Sequence, residues 1–283
     1  MPDLLKTHYA FCENLVREQD KDRWLASLFA NPAKRHHLFA LYAFSLEVAR
    51  IRDIVSEPMP GEIRLQWWQD AIEGEARGDV SSHPVAAALI DTIRTFKLPR
   101  VAFVALIEAR RFDLYDDPMP DMTTLEGYCG ETSSILIRLA SLILQGDGEP
   151  GGAEAAGHAG VAYAITGLLR AYPWTSVRGQ LFVPKAIFEK HGLSREAMIA
   201  GKNSPELKAA LAELRGKAWS HYRSAKAGLS EVSASGFPAF LPLFLVPLYL
   251  KRMEKGSYEP FGTIIEVPQW RRQWALWRAS KTI

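Results

Sequence analysis

This 283-residue sequence has few cysteines and little excess charge of either sign. Its two cysteines, Cys12 and Cys129, lie far apart and form no Cys-x-x-Cys motif. That pattern argues against a disulfide scaffold or a zinc site and fits a reducing compartment. The 34 basic and 32 acidic side chains leave a formal net charge of +2, so the sequence predicts no nucleic-acid partner.

Long apolar runs are also missing. The run 237–250 is interrupted by Pro238, Pro242 and Pro247, which makes it too short and too broken to span a bilayer. The N-terminal residues lack the basic start and apolar core of a signal peptide. We therefore expect a cytoplasmic protein, with peripheral contact to the inner membrane of a bacterium as an open alternative.

Strict alternation of apolar and polar residues is absent too, and the apolar spacing is helical nearly throughout. We therefore predict an all-α fold. The Gly-rich segment 146–152 indicates a loop, but both of its flanks are helical, so residues 1–283 are taken as one domain with a surface loop there. The predicted helices that matter most below span about 33–56, 123–145, 153–172, 238–253 and 268–281.

Several short segments occur in an informative order. Residues 41–44 read Leu-Tyr-Ala-Phe and 52–57 read Arg-Asp-Ile-Val-Ser-Glu. Residues 125–129 read Leu-Glu-Gly-Tyr-Cys, 167–175 read Gly-Leu-Leu-Arg-Ala-Tyr-Pro-Trp-Thr, and 183–184 read Val-Pro. In order and spacing they resemble the squalene/phytoene synthase family over nearly the whole chain. The resemblance implies a single helical bundle of the isoprenoid synthase type with a central cavity.

The resemblance also implies two aspartate-rich motifs that bind Mg²⁺ and a prenyl diphosphate. Against the family's Asp-Asp-x-x-Asp-Glu, this chain keeps Asp53 and Glu57, which should lie one helical turn apart. Against Asn-x-x-Arg-Asp-x-x-Glu-Asp it keeps only Arg170, and Pro173 is expected to bend or end that helix. Magnesium needs oxygen ligands, and Arg52 places a positive charge where the cation would lie. We predict no cofactor and no catalytic residue, with Asp53 and Glu57 as weak metal or acid/base candidates.

Basic residues near both motifs suggest a metal-free pocket for an anion or diphosphate, because the guanidinium fork matches phosphate oxygens. The alternative is that Arg52 and Arg170 form internal ion pairs with Glu47, Asp53 or Glu57. The pocket candidates are Arg35, Arg52, Asp53, Glu57, Arg170, Arg178 and Lys185.

The C-terminal helix carries Trp270, Trp274 and Trp277 at positions i, i+4 and i+7, here called the aromatic stripe, with Arg271 beside it. Tryptophan and arginine together suit a membrane interface or a protein-binding hot spot. The alternative is that the stripe packs on the helical bundle.

The departures from the enzymes resemble one branch of the family. The runs Val-Ser-Glu at 55–57, Arg-x-Gln-aromatic-Trp at 64–68 and Leu-Arg-Ala-x-Pro at 169–173 resemble the non-catalytic complex I assembly factors and their bacterial relatives. This implies a role in respiratory complex I assembly at the inner membrane, with complex I subunits or assembly intermediates as partners. Two alternatives stay open: an active, Mg²⁺-dependent head-to-head prenyl transferase, and a carrier of an isoprenoid or phospholipid.

Overall fold

The computed structural model describes residues 3–76 and 78–282. This part of the chain contains fifteen α-helices and no β-strand, which confirms the predicted all-α fold. The helices are α1 Asp3–Gln19, α2 Lys21–Ser27, α3 Arg35–Ala49, α4 Ile51–Ile54, α5 Pro58–Glu73, α6 Pro84–Phe96, α7 Arg100–Arg110, α8 Met122–Cys129, α9 Ile135–Gln145, α10 Ala153–Val177, α11 Lys185–Lys190, α12 Arg195–Ile199, α13 Pro205–Ala227, α14 Val246–Met253 and α15 Gln269–Ala279.

The helix predicted over 33–56 is shorter and is interrupted at Arg50, between α3 and α4. Glu57 is extended, with φ −124° and ψ 152°, because the next residue, Pro58, disfavours helical backbone before it. Asp53 lies in α4, whereas Glu57 lies beyond the helix end. The expectation that these two carboxylates lie one turn apart on one helix is therefore wrong.

Helix α10 continues past Pro173 to Val177, so of the two outcomes expected at this proline, a bend or an end of the helix, the end is wrong. Pro173 has no N–H to donate to the preceding turn. Burial compensates for the missing bond: α10 packs along α13, and the buried Tyr172 hydroxyl donates to the carbonyl of Met198 at 2.7 Å. Tertiary packing decides the length of this helix, and it brings Arg178 to the end of α10.

The apolar segment 237–253 is only half α-helical. Residues Phe237–Leu245 form a 3₁₀-helix, and α14 begins at Val246. Pro238 and Pro242 each remove an N–H donor from the α-helical pattern, which favours the tighter form. Most of this segment is buried in the core, and α15 packs against it. No helix among the described residues is long and apolar enough to cross a membrane.

The helix predicted over 123–145 contains a π-helical turn, Gly130–Ser134, between α8 and α9. Helix α10 approaches this turn at Gly160, where a Cβ atom would lie 2.2 Å from Ser134 Cα. Glycine is therefore required at this crossing, because any larger residue would force the two backbones apart.

Candidate functional site

Two charged residues of the first motif, Arg52 and Asp53, form ion pairs with other parts of the chain. Arg52 Nη2 lies 3.3 Å from Asp116 Oδ1, and Arg178 Nη1 lies 2.5 Å from Asp53 Oδ1. Asp116 belongs to the segment between α7 and α8, and Arg178 follows α10. Arg52 thus forms an ion pair, as the alternative predicted, but with the half-exposed Asp116 and not with Glu47, Asp53 or Glu57.

Backbone and side-chain contacts bring the segment around Asp116 against the end of α10. Arg195 Nη2 donates to the carbonyls of Asp116 at 3.3 Å and Gly179 at 3.4 Å. The Met119 N–H donates to the Leu181 carbonyl at 2.9 Å. The first motif, this segment and the end of the second motif's helix therefore form one charged edge, defined by Arg52, Asp53, Asp116, Arg178 and Arg195.

Arg170 belongs to a second group of contacts, centred on Asp22. The buried Asp22 accepts hydrogen bonds from the Tyr249 hydroxyl at 2.6 Å and from Arg272 Nη1 at 2.9 Å. Arg170 Nη1 lies 3.8 Å from Asp22 Oδ2, and its guanidinium carbon lies 3.9 Å from the centre of the Tyr249 ring. We call these four residues the Asp22 cluster. Arg170 thus pairs with a carboxylate as the alternative predicted, but not with Glu47, Asp53 or Glu57.

Burial and charge act in opposite directions on this cluster. Burial raises the pKa of Tyr249, and the Asp22 carboxylate adds to the effect, so the hydroxyl stays protonated and donates. Burial opposes the charge on Arg272, but Asp22 outweighs it and the pKa of Arg272 is raised. The Nε atoms of Arg170 and Arg272 are buried without a hydrogen-bond partner, so one carboxylate serves two guanidinium groups.

The other pocket candidates are engaged locally. Arg35 donates to the carbonyls of Ala30 at 3.0 Å and Leu28 at 2.6 Å, and these bonds hold the segment that follows α2 against the start of α3. Lys185 Nζ lies 3.6 Å from Glu189 one turn ahead in α11. Glu57 is exposed and makes no ion pair within the described ranges. The seven candidates therefore fall into separate groups of contacts.

One cavity that borders the second motif is small. A cavity of about 10 Å³ borders Tyr172 and Thr175 of α10 and is closed by Phe182, Val183 and Leu214. That volume is room for about one water molecule. A prenyl chain does not fit at this point without rearrangement of these side chains.

The aromatic stripe of α15 faces solvent. Trp270 is 65%, Trp274 55% and Trp277 53% exposed, so the alternative in which the stripe packs on the bundle is wrong. The guanidinium carbons of Arg271 and Arg278 each lie 5.4 Å from a stripe ring, those of Trp270 and Trp274 respectively. The surface of α15 is therefore both aromatic and cationic.

The opposite face of α15 makes the contacts with the bundle. Arg272, Leu276 and Ala279 share that face at i, i+4 and i+7, and the latter two are buried. Sequence reasoning did not identify Arg272, Asp22, Tyr249 or Asp116 as contact residues. An arginine on the docking face was the available signal for the first, because a buried guanidinium needs an acidic partner.

The sequence and the fold were compared with those of known proteins. The sequence profile of the squalene/phytoene synthase family matches residues 16–278, and the chain belongs to that family. A dehydrosqualene synthase crystal structure superposes with a TM-score of 0.81 at 19% identity, covering 98% of this chain and 96% of that one. The isoprenoid synthase fold is thereby confirmed.

Two kinds of family member are similar in sequence. Complex I assembly factor 6 of Rattus norvegicus is 30% identical over 253 residues, which cover 89% of this chain and 76% of that protein. A 15-cis-phytoene synthase of Synechocystis is 24% identical over 272 residues, covering 92% and 80% respectively. The resemblance to the assembly-factor branch is thus confirmed, with phytoene synthases more distant.

The family implies Mg²⁺, and the donor set at the charged edge does not fit it. Magnesium takes oxygen ligands, chiefly carboxylates. Here Asp53 is paired with Arg178, Arg52 contributes a cation, and positions 171 and 175 of α10 are Ala and Thr. Among the described residues, no group of three or more His, Cys, Asp or Glu side chains is arranged to hold a metal ion.

Proposed function

We propose that this chain is a non-catalytic member of its family that acts in the assembly of respiratory complex I. The ion pair Asp53–Arg178 carries the proposal, because it engages the first-motif carboxylate that a metal-dependent synthase would use as a ligand, and the neighbouring Arg52, paired with Asp116, adds a positive charge there. The similarity to complex I assembly factor 6 over 89% of the chain supports the biological context.

The chemistry of prenyl transfer supports the same conclusion. Ionisation of a prenyl diphosphate requires metal ions that neutralise the leaving group. The charged edge offers three guanidinium groups against two carboxylates, Asp53 and Asp116. Such an edge suits direct contact with the phosphate of a lipid headgroup, without a metal.

The surface of α15 provides a place for membrane contact at the inner membrane. Tryptophan rings sit favourably at the boundary of headgroups and acyl chains, and arginine attracts anionic lipids. The exposed stripe with Arg271 and Arg278 beside it combines both properties. In this proposal the chain binds complex I subunits or assembly intermediates at the membrane surface.

An enzyme assay tests the non-catalytic part of the proposal. The purified chain is incubated with farnesyl or geranylgeranyl diphosphate, Mg²⁺ and a reductant, and released pyrophosphate is measured beside an active synthase. We expect no release above background. Turnover of about 1 per second or faster contradicts the proposal. Tight binding of a diphosphate without turnover favours the carrier alternative.

A genetic experiment tests the assembly role separately. Deletion of the gene in its own host should lower assembled complex I on native gels, and the wild-type gene should restore it. The Asp53→Asn variant should restore it equally, because Asp53 is not used as a metal ligand. Normal complex I after deletion contradicts the assembly role, and failure of Asp53→Asn to restore it contradicts the non-catalytic role.

A further inference from the structure

A cavity of about 410 Å³ lies between α1, the short 3₁₀-helix Val80–Ser82 and α6. Its volume falls within the range of roughly 300–1,000 Å³ that is usual for small-molecule sites. Of the residues described, none from the charged edge or the Asp22 cluster lines it. The cavity is therefore a candidate binding site separate from both family motifs.

Most of the cavity wall is apolar. Five of its nine lining residues have hydrocarbon side chains, namely Leu4, Leu5, Val80, Ala87 and Ile90. All of these except the exposed Leu4 are half-buried, so they keep some contact with water. A hydrocarbon chain in the cavity would remove that surface from water, which is favourable by about 25 cal/mol per Å². The wall therefore favours a ligand with an alkyl chain.

Helix α6 adds one charge of each sign to the same cavity. Ala87, Ile90, Asp91 and Arg94 occupy positions i, i+3, i+4 and i+7, so the two charged residues share a face with the apolar ones. Side chains three positions apart on a helix are neighbours, with Cβ atoms about 5–6 Å apart. A carboxylate and a guanidinium group thus lie side by side at an apolar cavity.

Buried hydrogen bonds hold the carboxylate in place. The Tyr9 hydroxyl donates to Asp91 Oδ2 at 2.7 Å. The Thr92 hydroxyl donates to the Ala88 carbonyl at 2.8 Å. His37 Nδ1 therefore carries the proton that the oxygens of Tyr9 and Thr92 accept, each at 2.9 Å. Tyr9, Thr92 and His37 are all buried, and a carboxylate can accept further bonds beyond the one from tyrosine.

The two charges define the head group of the ligand. Asp91 suits an ammonium group, and the exposed guanidinium of Arg94 suits a phosphate. An α-amino acid carries both of its charges on a single carbon atom. Phosphoethanolamine separates its charges by a two-carbon link, which better matches two side chains one helical turn apart.

We propose that this cavity binds a single-chain amphiphile with a phosphoethanolamine head group. The alkyl chain lies against Leu5, Val80 and Ile90, the ammonium group binds Asp91, and the phosphate binds Arg94. The volume suits a molecule of drug size rather than a two-chain phospholipid. The site goes beyond the proposed assembly function and does not depend on it.

Calorimetric titration of the full chain with decyl phosphoethanolamine, kept below its micelle concentration, tests the site. We expect saturable binding of one molecule per chain. Decyl phosphate lacks the ammonium group and decylamine lacks the phosphate, so each should bind at least about tenfold more weakly, because each loses one charge-assisted contact. Free leucine, which has both charges but no long chain, should bind more weakly still.

Three variants assign the contacts. Asp91→Asn keeps an acceptor for the Tyr9 hydroxyl but should abolish the preference for decyl phosphoethanolamine over decyl phosphate. Arg94→Gln should abolish the preference over decylamine. Ala87→Phe fills part of the cavity and should weaken binding of decyl phosphoethanolamine about tenfold or more, with both charges intact.

The matched control is Arg223→Gln, at an exposed arginine of α13 that does not line the cavity. This variant, and a variant with the aromatic stripe replaced by alanine, should bind as the wild type does. No saturable binding, equal affinity for the three decyl probes, tighter binding of leucine, or preferences unchanged in Asp91→Asn and Arg94→Gln overturns the proposal. Binding lost in either control also overturns it. If Asp91→Asn fails to fold by circular dichroism, the exposed Arg94→Gln variant decides.

Discussion

Asp22 and Arg272, 250 positions apart in the chain, are joined by a 2.9 Å ion pair that fastens the C-terminal helix to α2. The same carboxylate accepts from Tyr249 and faces Arg170 of the second motif's helix. The one motif arginine that this chain retains therefore serves, in part, to hold the fold together. Asp22 therefore links the C-terminal helix to Arg170 of α10.

Replacement of Asp22 should be costly. Asp22→Ala leaves two guanidinium groups without their carboxylate, and we expect a loss of about 3–5 kcal/mol in the free energy of unfolding. Urea denaturation measures it. Asp116→Ala is the control, because its ion pair with Arg52 is half-exposed and should be worth less than about 1 kcal/mol. Equal losses in the two variants contradict this account.

Two glycines of α10 should respond oppositely to alanine. At Gly160 a Cβ atom meets Ser134 backbone at 2.2 Å, so Gly160→Ala should destabilise the protein by about 1–3 kcal/mol. At Gly167 an added Cβ atom would meet nothing within 4 Å beyond the adjoining backbone of α10, and Gly167→Ala should stabilise the protein by up to about 1 kcal/mol through helix propensity. Thermal unfolding of both variants checks the pair, and the same sign for both rules out this packing argument.

Stability should fall in mild acid partly through His37. Burial, with His36 nearby, lowers the pKa of His37 to about 4, and its Nδ1 contacts Tyr9 and Thr92 hydroxyls, each at 2.9 Å. In the unfolded chain His37 binds a proton near pH 6.5, whereas in the folded chain it stays neutral at that pH. The contribution of neutral His37 to the free energy of unfolding is therefore complete above about pH 6.5 and is lost as the pH falls toward 4.

The measurement is urea unfolding between pH 7.5 and 4.5, for the wild type and for His37→Gln. We expect the wild type to lose about 1–2 kcal/mol more than the variant across this range, after allowance for solvent screening. Parallel pH profiles for the two proteins would show that His37 does not titrate as its burial predicts.

Loss of the aromatic stripe should weaken membrane contact without unfolding the protein. The triple variant Trp270→Ala, Trp274→Ala, Trp277→Ala should bind vesicles containing anionic phosphatidylserine at least about tenfold more weakly in sedimentation. Its unfolding temperature should stay near that of the wild type, since all three rings are exposed. Val101→Ala, at another exposed apolar position, is the control. Wild-type binding by the triple variant excludes α15 as the membrane contact.

The sequence by itself determined the helical class and the family. Helical spacing of apolar residues is a local property, so it can be recognised without knowledge of tertiary contacts. The segments around Asp53 and Arg170 occur in the same order along the chain as in the family. The aromatic stripe was equally readable, because helical periodicity alone places Trp270, Trp274 and Trp277 on one face.

The tertiary structure decided what these residues touch. Arg170 pairs with Asp22 and Arg52 with Asp116, partners 148 and 64 positions away that no local pattern indicates. It also decided that α10 runs past Pro173, because burial against α13 outweighs one missing hydrogen bond. Ion-pair partners and helix ends depend on long-range packing, whereas helix periodicity depends only on neighbours along the chain.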